Sequence, residues 1–375
     1  MNDSSTIYNL EYRIQSGVLL LLNCPNFMQF GIDYSSWTIG HKFKGIKLIP
    51  DGAHFVYYSL KEEEYSFKQG FFIHVSGKNK IHIRTWDHEI KDFVAFKNEE
   101  DEKNFSIGIN NLDFDAYLGE YPHDQIDNCR DLTRFIDNKI LDRLEPINRR
   151  YITSSKEYAG VNDGQNSIKG NIYFTQIPKN KFYLNKVDPS LLTQSNLDKS
   201  IILDELIIKD YSNDHFILLG EFQYSFITFY LGEIYESFEQ WKNIFILICS
   251  CKELIIKREK LFCIFIETVY HQLRQLPKDF FIDELSNNNF IGKMVELLFE
   301  NCLDVSNPIT KRVKLLEKFL KEYFGFEIKN ENEKIIENYL IRKQQFDNFR
   351  QVDHDDEMPT IVEENEISKY FERMR

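Results

Sequence analysis

GEFQYSFITFYLGEIYESFEQWKNIFILICSCKEL, residues 220–254, decides the fold class of the C-terminal half. Apolar residues recur at Phe222, Phe226, Phe229, Tyr230, Ile234, Phe238, Trp241, Phe245 and Ile248, the three-and-four spacing that places them on one helix face. The opposite side carries Tyr224, Ile227, Tyr235, Ile244 and Leu247, a band too wide for a helix lying on a surface. The stretch reads as a central, nearly buried bundle helix, in which Gly232 lets a neighbour approach closely and marks where the helix can break. It does not read as a membrane span, because Glu233, Glu236, Glu239 and Lys242 interrupt it and charge at a bilayer centre is costly.

Working outward from that helix, Leu254 to Leu276 continues the helical pattern, and Leu276-Pro277-Lys278-Asp279 breaks it. Phe280 to Leu303 forms the next helix, and Asn307-Pro308 starts another, Ile309 to Phe324. Repeated helix, break and helix give an all-α bundle or short superhelix over 171–349, with no self-similar period. Glu331 to Phe349 is a charged helix with a thin apolar stripe, and 350–375 is an acidic, mobile tail. On the upstream side, NIYFTQIP at 171–178 reads as a strand, followed by a short helix over 186–202 and the strand-like SIILDELI. ITSSKEYAGVNDGQNSIKG, 152–170, has almost no periodic apolar positions and is expected to be a flexible linker that limited proteolysis cuts first.

Residues 1–151 follow a different rhythm. GVLLLLNC, FMQFGID, IKLI, AHFVYYS, GFFIHVS, KIHIRTWD and KDFVAF are short extended runs, and Pro50-Asp51-Gly52 and Gly77-Lys78-Asn79 are turns between them. In KIHIRTWD, Ile81, Ile83 and Thr85 alternate with His82, Arg84 and Trp86, as a half-buried antiparallel strand requires. These runs predict a β-sandwich or barrel-like domain, with acidic loops at 61–64 and 98–102, closed by one helix over Asp131–Leu144. The fold class is therefore α+β in two domains, the second all-α. Trp37, Phe43, Ile46, Phe55 and Trp241 are bulky residues expected in a core or domain interface.

Composition narrows the chemistry. A length of 375 residues makes two domains the default, and 42% apolar content is enough for both cores. The net charge of −13 argues against wrapping a nucleic-acid backbone and leaves protein partners open. Six cysteines without a C-x-x-C pair read as reduced, buried thiols of an intracellular protein. The polar, acidic N-terminus is not read as a signal or transit peptide.

Each catalytic or metal pattern yields to a structural one. Glycines 31, 40, 45 and 52 match neither phosphate-loop spacing and fit turns. His82 and His88 share a polar strand face, and Cys249 and Cys251 point apart on a helix. Lys209, Lys252, Lys257, Arg258 and Lys260 alternate with acids, as on a solvated helix edge. No catalytic residue, metal or cofactor is expected, which favours a binding factor over an enzyme.

FGIDYSSWTIGHKFKGIKLIPDGAHFVYYS at 30–59 resembles the N-terminal signature of the AAR splicing-factor family, the assembly factors of the U5 small nuclear ribonucleoprotein. Two further blocks agree in the same order: residues 220–249 resemble the family's central helix, and YHQLRQLPKDFFIDELSNNNFI at 270–291 resembles its next helix junction. The resemblance implies a VHS-like shape for the helical domain and no enzyme activity. It implies binding to pre-mRNA-processing-splicing factor 8, the U5 scaffold, at its RNase H-like and Jab/MPN-type domains, which keeps the U5 helicase off until assembly matures. It also implies contact with other U5 proteins, a cytoplasmic and nuclear location, and release associated with phosphorylation. A monomer is expected, without direct nucleic-acid or membrane binding; the alternative is a VHS-like adaptor in trafficking. In the tail, Pro359-Thr360-Ile361-Val362 is a β-prone run that can add a strand to a partner's sheet edge, with Ile361 and Val362 seated in pockets and Tyr370 and Phe371 as further anchors.

Overall fold

A computed structural model describes residues 16–60, 68–77, 79–95, 98–145, 152–153, 172–178, 198–278, 290–302, 305, 307–326 and 328. The expected helices near 186–197 and over Glu331–Phe349, most of the linker, and the tail with Ile361, Val362, Tyr370 and Phe371 lie outside the described residues. The described residues up to Phe326 belong to one compact unit.

The extended runs form two five-stranded sheets. The first contains β1 (Gly17–Leu22), β4 (Gly45–Ile49), β7 (Ile81–Asp87), β8 (Asp92–Val94) and β9 (Gly119–Glu120), in the order β8-β7-β1-β4-β9. The second contains β2 (Gln29–Ile32), β3 (Ser35–Thr38), β5 (Gly52–Ser59), β6 (Gln69–Val75) and β10 (Ile152–Thr153), in the order β10-β6-β5-β2-β3. Leu19, Leu21 and Trp86 from the first meet Phe30, Val56 and Tyr58 from the second in one apolar layer, a sandwich, one of the two forms, sandwich or barrel-like, expected from the sequence. Ile152 and Thr153, the first two residues of the expected linker, pair with Gly70 and Gln69.

The half-buried reading of KIHIRTWD is corrected. β7 runs parallel to β1 and antiparallel to β8, and both Ile83 and Trp86 are buried although they face opposite sides. The reason is a cover on the outer face: Leu20 and Ile83 pack with Ile109 of helix α1 (Glu99–Asn110). The unbroken leucine run of β1 suits a strand buried on both faces.

The single helix expected over Asp131–Leu144 is two, α2 (Ile126–Thr133) and α3 (Asn138–Leu144). Asp137 caps the second by accepting the Ile140 N–H at 3.0 Å, a local bond that outcompetes continuation of the first. SIILDELI is helical too, within α4 (Ser200–Lys209), where Ile202, Leu203, Leu206 and Ile207 are buried. The Asp198 carboxylate accepts the Ser200 N–H at 2.8 Å and starts this helix. Residues 172–178 form no strand; the Tyr173 N–H donates to the Leu144 carbonyl and the Thr175 N–H to the Glu221 carboxylate, so helical neighbours replace a strand partner.

The central stretch breaks at the glycine. Helix α5 (His215–Tyr230) and helix α6 (Tyr235–Cys249) are joined by a turn in which the Glu233 and Ile234 N–H groups return to the Phe229 and Thr228 carbonyls. Folding back brings both ends of the aromatic stripe together, with Phe222, Phe226 and Phe229 each within 6.2 Å, centroid to centroid, of the Trp241 ring. Short helix α7 (Leu254–Lys257) leads into α8 (Glu259–Leu273), followed by α9 (Phe290–Asn301) and α10 (Asn307–Phe319). A π turn, Leu320–Phe324, extends α10 and is capped by left-handed Gly325. Among the described residues no helix is long and apolar enough to cross a membrane.

Candidate functional site

Four elements converge on a buried polar centre inside the sandwich. Asp33 follows β2 with a positive φ of 51°, His54 points inward from β5, and Tyr121 and Cys129 arrive from the end of β9 and from α2. The Asp33 Oδ2 lies 2.7 Å from His54 Nδ1 and accepts the Tyr121 hydroxyl at 2.8 Å, while Oδ1 accepts the Phe55 N–H at 2.9 Å. His54 Nε2 donates to the Pro50 carbonyl at 2.8 Å. Burial alone disfavours an imidazolium, but the Asp33 charge and hydrogen bond outweigh it and hold the His54 pKa well above its ordinary value.

Asp33, His54 and Cys129 are the one trio of metal-ligating types brought together among the described residues. Its geometry does not activate the thiol. Cys129 Sγ sits 3.9 Å from Nδ1, the same nitrogen that faces Asp33, whereas a nucleophile–base–carboxylate relay uses opposite ring nitrogens. Burial, and the Asp33 charge after it, push the Cys129 thiol up and away from the reactive thiolate. A cation would have to displace the protons that His54 and Tyr121 direct at Asp33, so the arrangement works as a lock between strand, turn and helix. His82 and His88 do not join this centre.

A second buried node ties α3 to the helical half. Glu221 of α5 is fully buried; Oε1 accepts the Thr175 N–H and the Gln240 amide, both at 2.8 Å, and Oε2 accepts the Thr175 and Tyr211 hydroxyls at 2.7 and 3.1 Å. The Arg143 guanidinium of α3 lies 3.8 Å away and supplies the compensating charge. Around it, the Phe135 N–H donates to the Gln223 side chain, Asn128 and Gln275 exchange two amide bonds, and Phe72 of β6 stacks on Tyr224 at 4.9 Å. Lys68, just before β6, pairs with Glu233 at 2.6 Å and reaches the Leu231 carbonyl, where a helix C-terminus favours a cation. The two halves thus present their surfaces in a fixed relation.

Among the described residues, two exposed features suit a partner. Trp37, expected to be buried, is 39% exposed because β3 is the outermost strand of its sheet, whereas Ile46, Phe55 and Trp241 are buried and Phe43 is half-buried. A sheet edge with a large aromatic on it is a template for an added strand. The other feature is a groove of about 420 Å³ between α8 and α10, with Ile266, Leu316 and Phe319 among its lining residues. Sequence reasoning missed both, since neither an edge position nor an interhelical groove carries a local pattern; the clue available for β3 was its short, polar composition, Ser35-Ser36-Trp37-Thr38.

Comparison with known proteins covers both halves. The profile of the AAR2 N-terminal domain matches residues 15–146, and that of the AAR2 C-terminal repeat region matches residues 174–329. Protein AAR2 homolog from Homo sapiens is 29% identical over 341 residues, covering 81% of this chain and 87% of the relative. Protein AAR2 homolog from Caenorhabditis elegans is 29% identical over 362 residues, covering 85% and 96%. A1 cistron-splicing factor AAR2 from Saccharomyces cerevisiae is 25% identical over 372 residues, covering 91% and 96%.

Proposed function

The chain belongs to the AAR2 family, and on that premise we propose that it is a splicing protein that acts without catalysis, as an assembly factor of the U5 small nuclear ribonucleoprotein. It binds pre-mRNA-processing-splicing factor 8 at the RNase H-like and Jab/MPN-type domains and, while bound, keeps the helicase off those domains. It works in the cytoplasm and the nucleus, and other U5 proteins are carried in the same assembly.

The observation that carries this reading is collinearity: both family profiles match in order, and a relative bearing the name of a splicing factor aligns over almost its whole length. The geometry is compatible with occupancy as the mechanism. Phe72 stacked on Tyr224 and the Lys68–Glu233 pair hold the sandwich against the helices, and the Glu221 node holds α3 among them, so a scaffold meets one preorganised body and little ordering cost is added on docking. The tail adds a second contact, with Ile361 and Val362 in a strand paired to a scaffold sheet edge and Tyr370 and Phe371 anchoring beyond it. Ordering that tail costs about 1–2 kcal/mol per residue, so its net contribution is modest, as suits a factor that must leave.

The test is affinity capture of the full chain from cells followed by mass spectrometry. Recovery of the U5 scaffold without the helicase is expected; recovery of membrane cargo or ubiquitin in place of the scaffold contradicts the reading and returns the trafficking adaptor.

A further inference from the structure

Helix α10 and the π turn after it differ in charge from the rest of the molecule. They carry Lys311, Arg312, Lys314, Lys318 and Lys321 against Glu317 and Glu322, in a chain whose net charge is −13. The four lysines are spaced three, four and three residues apart, which places them along one side of the helix over about 15 Å at 1.5 Å per residue. All four are exposed. Arg312 is committed to Glu267 of α8 at 2.6 Å, whereas Lys318 pairs with the exposed Glu322 at 3.7 Å, a weak pair in water. Beside the stripe runs the groove between α8 and α10, whose apolar wall includes Ile266 and Phe319 and whose lip is Leu315, 58% exposed. A row of cations flanking an apolar trough is an amphipathic surface turned outward.

The chemistry of the trough selects among partners. A nucleic-acid strand needs free aromatic faces for its bases, but Arg274 already sits 5.7 Å over the Tyr270 ring and Lys278 5.3 Å over Tyr323. Glu267 and Glu322 line the groove and repel a phosphodiester, as does the chain's overall charge at long range. An amphipathic peptide helix needs no free aromatic face and can set apolar residues rather than carboxylates against Glu267 and Glu322, so the chain's overall charge is the one obstacle it shares with a phosphodiester.

We propose that the α8–α10 face binds an acidic amphipathic helix of a partner protein, its carboxylates set against Lys311, Lys314, Lys318 and Lys321 and an apolar anchor seated between Ile266, Leu315 and Phe319. This proposal does not depend on the U5 reading.

The experiment uses the full-length chain and a fluorescein-labelled helical peptide of about 15 residues, with Glu at positions 1, 4, 8 and 11 and Leu and Phe on the adjoining face, read by anisotropy at low and moderate salt. Saturable binding that weakens with salt is expected, together with a loss of about tenfold or more in affinity for both K314E/K318E and L315D. K209E, on the exposed α4 side chain already paired with Glu205, is expected to leave affinity unchanged. Circular dichroism confirms that each variant is folded. Equal binding of a peptide of identical composition in scrambled order, tighter binding of a labelled oligouridylate, insensitivity to the K314E/K318E or L315D changes, or no binding of the peptide would each overturn the proposal.

Discussion

Asp92 shows how one buried carboxylate writes itself into the pH dependence of the fold. It is 5% exposed and accepts the Tyr58 hydroxyl and the Phe93 N–H, yet burial dominates these bonds and pushes its pKa from 3.8 to about 7. With the folded value above the unfolded one, the folded state binds more protons between about pH 4 and pH 7. Stability from this group is therefore full below about 4 and is lost as pH rises to about 7. Asn at this position keeps the acceptor oxygen and cannot ionise. D92N should gain stability relative to the natural chain as pH rises through that window, by roughly 2–4 kcal/mol in total; urea denaturation at pH 5 and pH 8 measures it, and a pH-independent difference would remove the burial argument. At His54 burial does not prevail: the Asp33 charge and hydrogen bond outweigh it and favour the imidazolium. Both residues lie in the quoted block at 30–59, but a separation of 21 residues hides the pair from any local pattern. Cys129, from a different element again, was legible only as a buried thiol.

Elements were read well where a period extends over several turns and poorly where one polar side chain decides. The aromatic stripe from Phe222 to Ile248 was visible, as was the glycine at which it folds, because both are properties of spacing. Asp137 was not weighed as a cap, nor the Asp198 carboxylate as an acceptor for the Ser200 N–H, and with them went the division of α2 from α3 and the helical state of SIILDELI. The contact of α5 with the sandwich side also rests on a small residue: a methyl at Gly220 would meet the Phe135 carbonyl at 2.4 Å and the Ile140 side chain at 2.7 Å. The backbone of the α2–α3 turn cannot move away without disturbing the Phe135–Gln223 bond. G220A therefore overpacks this joint despite the better helix propensity of Ala, and should cost about 1–3 kcal/mol. Thermal unfolding of the variant checks this; an unchanged or raised midpoint would show that the joint yields.

At the scale of the molecule, the α+β class, the sandwich and the helical half were legible because composition and period change so clearly near residue 150. Their mutual packing was not, since the outer face of β5 and β6, with Phe55 and Phe72, reads like any core strand until the helices that cover it are seen. Function came from the three ordered blocks, which no physical pattern alone would have connected to splicing. The central claim is exclusion by occupancy. It is tested most directly by titrating a scaffold fragment holding the RNase H-like and Jab/MPN-type domains with the full chain in a calorimeter, repeating with a chain lacking 350–375, and then adding the helicase. The account predicts one saturable site, weaker binding without the tail, and helicase that binds the free fragment but not the occupied one. Helicase and full-length chain held together on the same scaffold domains would contradict it.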